Sequence, residues 1–498
     1  MLPVKKGAHE ETGVLDFSSM YPNEIVAANV CPTTMVVLPN GKITFVPPSV
    51  RKGLLPMILI ELMAERKRAR VAAENEPDPM LKDILNARQL QLKIACNSVY
   101  GWLGSEYAAI LLRELAEIVT ALGRQDIESV QQIARTTFTP ENGYPGTGVN
   151  IVCGDTDSVF VCFTGVIPSE ITGMDRIKRA FELCEVLATA VNAVMQSPKK
   201  IEVEKVYIVI YIIRKKGYGG LVLTSFGGKP KVDIKGLECV RRNGCALIRD
   251  NVRYVLEILV HQRDVNLATA AIRGIVDQVL ADEIPLEQYV MRQVLRKTKP
   301  DCSKPLPPKQ LAAIRAKLIP NAAHASVSAE QLSYTEIDAA IRAGVPLHFE
   351  TNSLMPHVEV AWRMRLRDPG TAPVPGDVVE YIVTSNGRGH RISEKAETLK
   401  DVRDKFIPVD RRHYLAKLRE VFDKIIQPLF YQQAEKQLEA QPSAPTAKEL
   451  QVTVKQNLNK RVWERISEPL QTSRELKRHR VQESAIATMF RNAAAKKQ

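Results

Sequence analysis

The sequence predicts an α+β fold in which a small antiparallel sheet is backed by helices. Three observations carry this. Apolar residues recur at helical spacing in two adjoining segments, about 54–74 and 80–99, split by Asn75-Glu76-Pro77-Asp78-Pro79. β-like runs flank Cys153-Gly154-Asp155-Thr156-Asp157-Ser158, which describes a strand–turn–strand hairpin. A helical pattern at 174–196 precedes strand-rich sequence from 201 to 236.

Taken in order, residues 1–52 mix short strands with turns, one at Pro39-Asn40-Gly41-Lys42. Val14-Leu15 lead into Asp16, and Phe17-Ser18-Ser19-Met20-Tyr21-Pro22 reads as a turn whose backbone N–H groups can hold phosphate oxygens. Leu54, Ile58, Leu62 and Met63 set the face of the first helix, and a short break before the second makes an antiparallel hairpin. Residues 107–135 are helical, and strands surround 149–163. Residues 250–298 and 408–435 are helical, with weak patterning between them. Pro300, Pro305, Pro307 and Pro308 predict a loop insertion over 301–356. Gln441 to Thr446 reads as a linker, and from Lys460 onward ten Lys/Arg face four Asp/Glu, a basic extension. No internal repeat is present.

A chain of 498 residues exceeds one core and implies several subdomains. A net charge of +13 favours an anionic partner, and nucleic acid fits best. Eight scattered cysteines without a Cys-x-x-Cys argue against structural zinc or iron–sulfur sites and for reduced thiols inside the cell. No apolar stretch is long enough to span a membrane, and no signal peptide is expected.

Asp155 and Asp157 lie two apart at the hairpin tip, with Gly154 allowing a tight turn. Like charges this close repel, so a divalent cation is the natural guest, and Mg²⁺ leaves room for phosphate oxygens. Such a pair alone is more often a solvated acidic turn than a metal site; Asp16, in a matching strand-end context, shifts the balance to the metal reading.

Asp16-Phe17-Ser18-Ser19-Met20-Tyr21-Pro22, Lys93-Ile94-Ala95-Cys96-Asn97-Ser98-Val99-Tyr100-Gly101 and Gly154-Asp155-Thr156-Asp157-Ser158 resemble, in order and spacing, motifs A, B and C of family B DNA polymerases. Ser49 to Pro56, Asn86 to Leu90, Val232 to Glu238 and Arg367 to Pro373 resemble the delta-type branch and its viral relatives. The likeness covers roughly 12–300 and 357–430 and is absent after about 435.

The resemblance implies a right-hand polymerase with an antiparallel-sheet palm, helical-hairpin fingers and a mostly helical thumb. Palm would be 1–52 and 107–250, fingers 53–106 and thumb 251–435, followed by a linker and basic extension over 436–498. It implies two Mg²⁺ ions held by Asp16, the Phe17 carbonyl and Asp157, with Asp155 beside them. Ser19 and Met20 would offer N–H groups, Arg66, Arg70 and Lys93 would bind the triphosphate, Tyr21 would exclude a 2′-hydroxyl, and Asn97 and Tyr100 would line the nascent base pair. Thr156, Lys215, Lys216, Tyr218, Lys235, Arg241 and Arg242 would contact DNA.

Departures from the family pattern are Gly217 for a basic residue, which removes one DNA contact, Asn243 for Asp, Cys153 for Tyr and Arg70 for Lys. Only 15 residues precede Asp16, so a chain without its own proofreading exonuclease is expected, with a separate subunit as one source of the absent region. Glu483 to Phe490 loosely resembles a sliding-clamp-binding peptide, although an ordinary amphipathic turn is the better reading. The expected substrates are primed DNA and deoxynucleotides, in the nucleus or at a viral replication site. The alternatives are a non-catalytic polymerase-fold scaffold or DNA-binding subunit, and a metal-dependent nuclease. The nuclease would have no use for Tyr21, Lys93 and Asn97 at these spacings.

Overall fold

The computed structural model describes residues 4–107, 112–241, 243–295, 355–368, 370–386, 391–438 and 447–464. The chain divides into two compact units, Met1–Lys235 and Gly236–Gln498. The division falls where the strand Lys231–Lys235 ends.

The first unit is built on a six-stranded antiparallel sheet. Its strands are β1 (Gly7–Phe17), β4 (Asn150–Asp155), β5 (Ser158–Cys162), β6 (Ile201–Arg214), β7 (Gly217–Leu223) and β8 (Lys231–Lys235), in the order β4-β5-β1-β6-β7-β8. A two-stranded ribbon, β2 (Met35–Val37) and β3 (Ile43–Phe45), lies apart from it. Strand alternation decides what each face does. Leu15 and Phe17 of β1, with Val159 and Val161 of β5, enter a core shared with α4 (Arg113–Thr137) and α5 (Met174–Val194). Val14 and Phe160 point to the opposite face, into a smaller cluster with Tyr207 and Tyr218. Asp16 belongs to that second face.

Gly13 shows how closely α5 approaches the sheet. A Cβ there would lie 2.1 Å from Cys184 Sγ and 3.0 Å from the Phe163 ring. Gly13→Val is therefore expected to destabilise the unit by about 2–3 kcal/mol through overpacking. Thermal unfolding checks this, and an unchanged melting temperature would contradict the packing.

Sequence reading ended the Asp16 segment in a turn. The chain instead enters α1 (Met20–Ala27) after two residues. Next come α2 (Leu54–Asn75) and α3 (Pro79–Leu103), the expected hairpin. Glu76, extended before Pro77, ends the first helix, and Asp78 caps the second, its carboxylate accepting from the Met80 N–H at 2.9 Å, with Pro79 at the first helical position. The base of the hairpin is fixed by Leu59, Cys96 and Leu103 packing with Ile25 of α1 and with Leu115 and Val119 of α4. α4 carries a buried stripe at Leu115, Val119, Gly123, Asp126, Val130 and Ala134, where Asp126 is the one acidic member.

The second unit has α6 (Ala246–Gln262) and α7 (Val265–Leu280), the latter capped by Asp264. Residues 286–295 were among those expected to be helical. They form a 3-10 turn and the strand β9 (Met291–Val294), which pairs with Val378–Val383. Ala396–Glu397 completes a three-stranded sheet within a unit expected to be mainly helical. Tyr414, on the helix Arg411–Leu438, ties this sheet down: its hydroxyl donates to the Tyr289 carbonyl at 2.8 Å and accepts from the Val383 N–H at 3.0 Å.

Arg242, residues 301–354 of the expected insertion, and the clamp-like segment Glu483 to Phe490 lie outside the described residues. Among the described residues, no helix is long and apolar enough to cross a membrane.

Candidate active site

The site forms where β1 and β5 run side by side. Their register sets Asp16 opposite Ser158, and β6 sets it opposite Glu202. The Ser158 hydroxyl donates to Asp16 Oδ1 at 2.7 Å. The Phe17 N–H donates to the Asp157 carbonyl at 2.9 Å, so the end of β1 is stitched to the β4–β5 turn. This turn is tighter than expected and sits elsewhere. The Asp157 N–H donates to the Asp155 carbonyl at 2.8 Å, and Thr156 between them has φ of 64°. Such a two-residue closure with positive φ is the geometry of a strained γ-turn. Gly154 was expected to provide the tight bend, but the positive φ belongs to Thr156.

Asp16 and Asp157 are half-buried. Burial pushes both carboxyls up, Asp16 to about 6, and the charge of Asp157 adds to the rise at Asp16. Glu204 on β6 raises both as well, while Lys93 is a cation that lowers both. Glu202 and Glu204 were missed in the sequence. Their signal was available: Ile201-Glu202-Val203-Glu204 repeats, at a strand start, the acid-x-acid pattern that singled out Asp155 and Asp157. Among the described residues, no group of three His, Cys, Asp or Glu forms a closed cage for a metal ion. Two half-buried carboxylates, with Asp157 raising the proton affinity of Asp16, on a wall open to a cleft, do fit a hard divalent cation. Mg²⁺ takes one or two carboxylates and completes its shell with water and phosphate oxygens.

The cleft has a volume of about 680 Å³. Its floor holds Asp16, Phe17 and Asp157, and its near end holds Ser18, Ser19, Met20 and Tyr21. The opposite wall comes from α2 and α3, with Arg66, Lys67, Arg70, Lys93, Asn97 and Tyr100. The helical spacing that put Lys93, Asn97 and Tyr100 on one face is thus used on the cleft side. The Arg66 guanidinium reaches back to the Ser19 hydroxyl at 3.2 Å. Ser19 has φ of 51° and precedes α1, whose first N–H groups have no partner within the helix. Arg70 is mainly exposed and lies 3.5 Å from Glu74, a screened pair of little energetic weight. Lys200 joins the same cleft from the loop before β6 and was not anticipated.

Tyr21 and Tyr100 stack with ring centroids 4.3 Å apart and an interplanar angle of 25°. The two motifs expected to flank the nucleotide sugar and base are therefore locked together. Behind Tyr21 a second recess of about 380 Å³ is lined by Arg124 and Ile127 of α4, by Asp155 and Thr156, and by Lys215 and Lys216.

Lys215 and Lys216 are the two turn residues joining β6 to β7. Lys216 Nζ donates to the Thr156 hydroxyl at 3.1 Å and lies 3.5 Å from Asp155. Tyr218 follows on β7. It is buried, with its ring edge-on to Phe160 at 5.3 Å, so it supports the lysine turn from below. Lys235 is exposed at the end of β8; Arg241 is exposed in the second unit.

The sequence pattern of DNA polymerase family B matches residues 1–340 and 345–429. This chain belongs to DNA polymerase family B. The match extends through 301–340, where no counterpart was expected. Among curated relatives, the DNA polymerase delta catalytic subunit of Bos taurus is 33 % identical over 446 residues, 85 % of this chain and 35 % of the relative. The subunit of Candida albicans is 32 % identical over 85 % of this chain and 36 % of its own length. That of Schizosaccharomyces pombe is 32 % identical over 87 % and 36 %. The chain thus spans about a third of the length of these family B relatives.

Proposed function

We propose that this chain is a DNA-directed DNA polymerase that adds deoxynucleotides to a primer 3′ end under template direction. The observation that carries the reading is one cleft with Asp16 and Asp157 on its floor, Arg66 and Lys93 on its opposite wall, and Tyr21 at its end. Two magnesium ions, when bound, would activate the primer hydroxyl and stabilise the leaving pyrophosphate. Asp16, Asp157 and the Phe17 carbonyl would hold them. Arg66, Arg70 and Lys93 would grip the triphosphate, aided by the N–H groups of Ser19 and Met20. Asn97 and Tyr100 would bear on the nascent pair.

Thr156, Lys215 and Lys216 would meet the primer end, where minor-groove acceptors are shared by all base pairs. Lys235, Arg241 and Arg242 would hold backbone phosphates. In this reading the sheet is the palm and the α2–α3 hairpin the fingers, and the protein works beside replicating DNA inside the cell. Seven described cysteines, all free and buried, agree with that setting.

Extension of an end-labelled primer on a defined template, with Mg²⁺ and one deoxynucleotide at a time, tests the reading. Growth only with the complementary nucleotide supports it. DNA binding without growth would assign the chain a scaffold role, and shortening of the primer would assign nuclease chemistry. Tyr21→Ala is expected to raise ribonucleotide incorporation at least about tenfold, because a ring against C2′ is the discriminating contact. Unchanged sugar selectivity in single-nucleotide kinetics would remove Tyr21 from that role.

A further inference from the structure

Glu24, Asp126 and Lys199 meet next to the cleft, away from the residues assigned above. Glu24 lies on α1, Asp126 interrupts the apolar stripe of α4, and Lys199 sits in the loop before β6. Their side chains are 1 %, 10 % and 12 % exposed. Lys199 Nζ lies 2.9 Å from Asp126 Oδ1, 2.8 Å from Oδ2 and 3.5 Å from Glu24 Oε2. Neither Glu24 carboxyl oxygen has a well-formed hydrogen bond in the structure.

Two carboxylates against one ammonium would leave a net negative charge out of water, which is costly. One proton between the two carboxyls makes the trio neutral and gives Glu24 a partner. Burial, with Asp126 alongside, accordingly pushes Glu24 up to about 8. The other groups packed on α1 do not supply this balance. Cys96 and Tyr100 of α3 are neutral, Arg66 of α2 reaches Ser19, and Arg124 of α4 acts on Tyr21.

We propose that Glu24, Asp126 and Lys199 form a buried carboxyl–carboxylate–ammonium clasp that positions α1, and with it Tyr21, against α4. These are positioning residues: each element they join carries a cleft residue close in sequence. Tyr21 is the second residue of α1, Arg124 precedes Asp126 by two positions, and Pro198 and Lys200 flank Lys199. Loss of the shared proton leaves an uncompensated charge and loosens the seat of Tyr21. Discrimination against ribonucleotides then declines at alkaline pH. The sugar readout rests on the polymerase reading; the clasp itself does not.

Two measurements on the whole chain test it, with Glu24→Gln and Asp126→Asn. Each variant leaves one carboxylate facing one ammonium, so neither needs a shared proton. The sign follows from linkage. A carboxyl raised in the folded state contributes stability that is full below its unfolded pKa and is lost as pH rises to its folded pKa. One such proton changes the folding equilibrium by up to about tenfold per pH unit. The melting temperature of the wild type relative to either variant is therefore expected to fall between pH 5 and 8, by on the order of 5 °C, and to level above. Parallel melting curves across pH overturn the clasp. In single-nucleotide kinetics, wild-type preference for deoxy- over ribonucleotide is expected to drop about threefold or more from pH 7 to 9, while both variants stay flat. Variants that track the wild type overturn the positioning role. If no protein extends a primer at any pH, the polymerase reading fails and the melting curves still decide the clasp.

Discussion

Asp157→Asn is expected to lower primer extension on the order of a thousandfold, equal to about 4 kcal/mol of transition-state stabilisation. The substitution keeps the shape of the side chain and removes its charge. The fold should not suffer. Asp157 shares a half-buried pocket with Asp16, and burial together with the charges of Asp155 and Glu204 already raises its proton affinity. Neutralising one member of such a set relieves repulsion. The melting temperature is expected to hold or to rise by a few degrees, while DNA affinity in a gel-shift assay stays within about twofold. Activity lost with stability kept is the signature of a carboxylate retained for chemistry. Substantial residual extension would show that the reaction does not run through this pair, and the proposed activity would fail with it.

Lys93→Ala is expected to reduce kcat/KM for the incoming deoxynucleotide by about a hundredfold or more, the usual effect of removing a charge aimed at developing phosphate charge. Lys93 stands on the helical wall facing both aspartates and lowers the proton affinity of each. Its loss should act on nucleotide and not on primer. Pre-steady-state extension at varied nucleotide concentration separates the two. A change confined to DNA affinity would place Lys93 on the duplex.

The polymerase motifs were legible because they combine two kinds of signal. Helical spacing put Lys93, Asn97 and Tyr100 on one face, and the strand-turn pattern around Asp155 and Asp157 gave the hairpin; both are local properties of the chain. What the sequence did not reveal depends on pairing across the sheet. Glu202 and Glu204 share the acid-x-acid pattern of Asp155 and Asp157, but only the pairing of β6 with β1 brings them to Asp16. The burial of Tyr218 likewise follows from strand alternation, which turns its ring into the cluster with Phe160 and Tyr207. The helix at Met20–Ala27 was hidden by Pro22, which reads as a turn residue but is tolerated in a first helical turn. The positive φ fell on Thr156 and not on Gly154, since the closing hydrogen bond chose the position.

Asp16 and Ser158 are joined by a hydrogen bond although 142 residues separate them in sequence. During synthesis, the α2–α3 hairpin and α4 emerge whole before β5 exists, whereas β1 leaves the ribosome with both of its sheet neighbours still unmade. Contacts this distant form slowly, because closing a long loop precedes any reward. The nascent chain must therefore carry an orphan apolar strand, Val14-Leu15-Asp16-Phe17, through most of the first unit's translation. Slow translation between this strand and β5 prolongs the exposure of its apolar side chains, and such exposure favours aggregation.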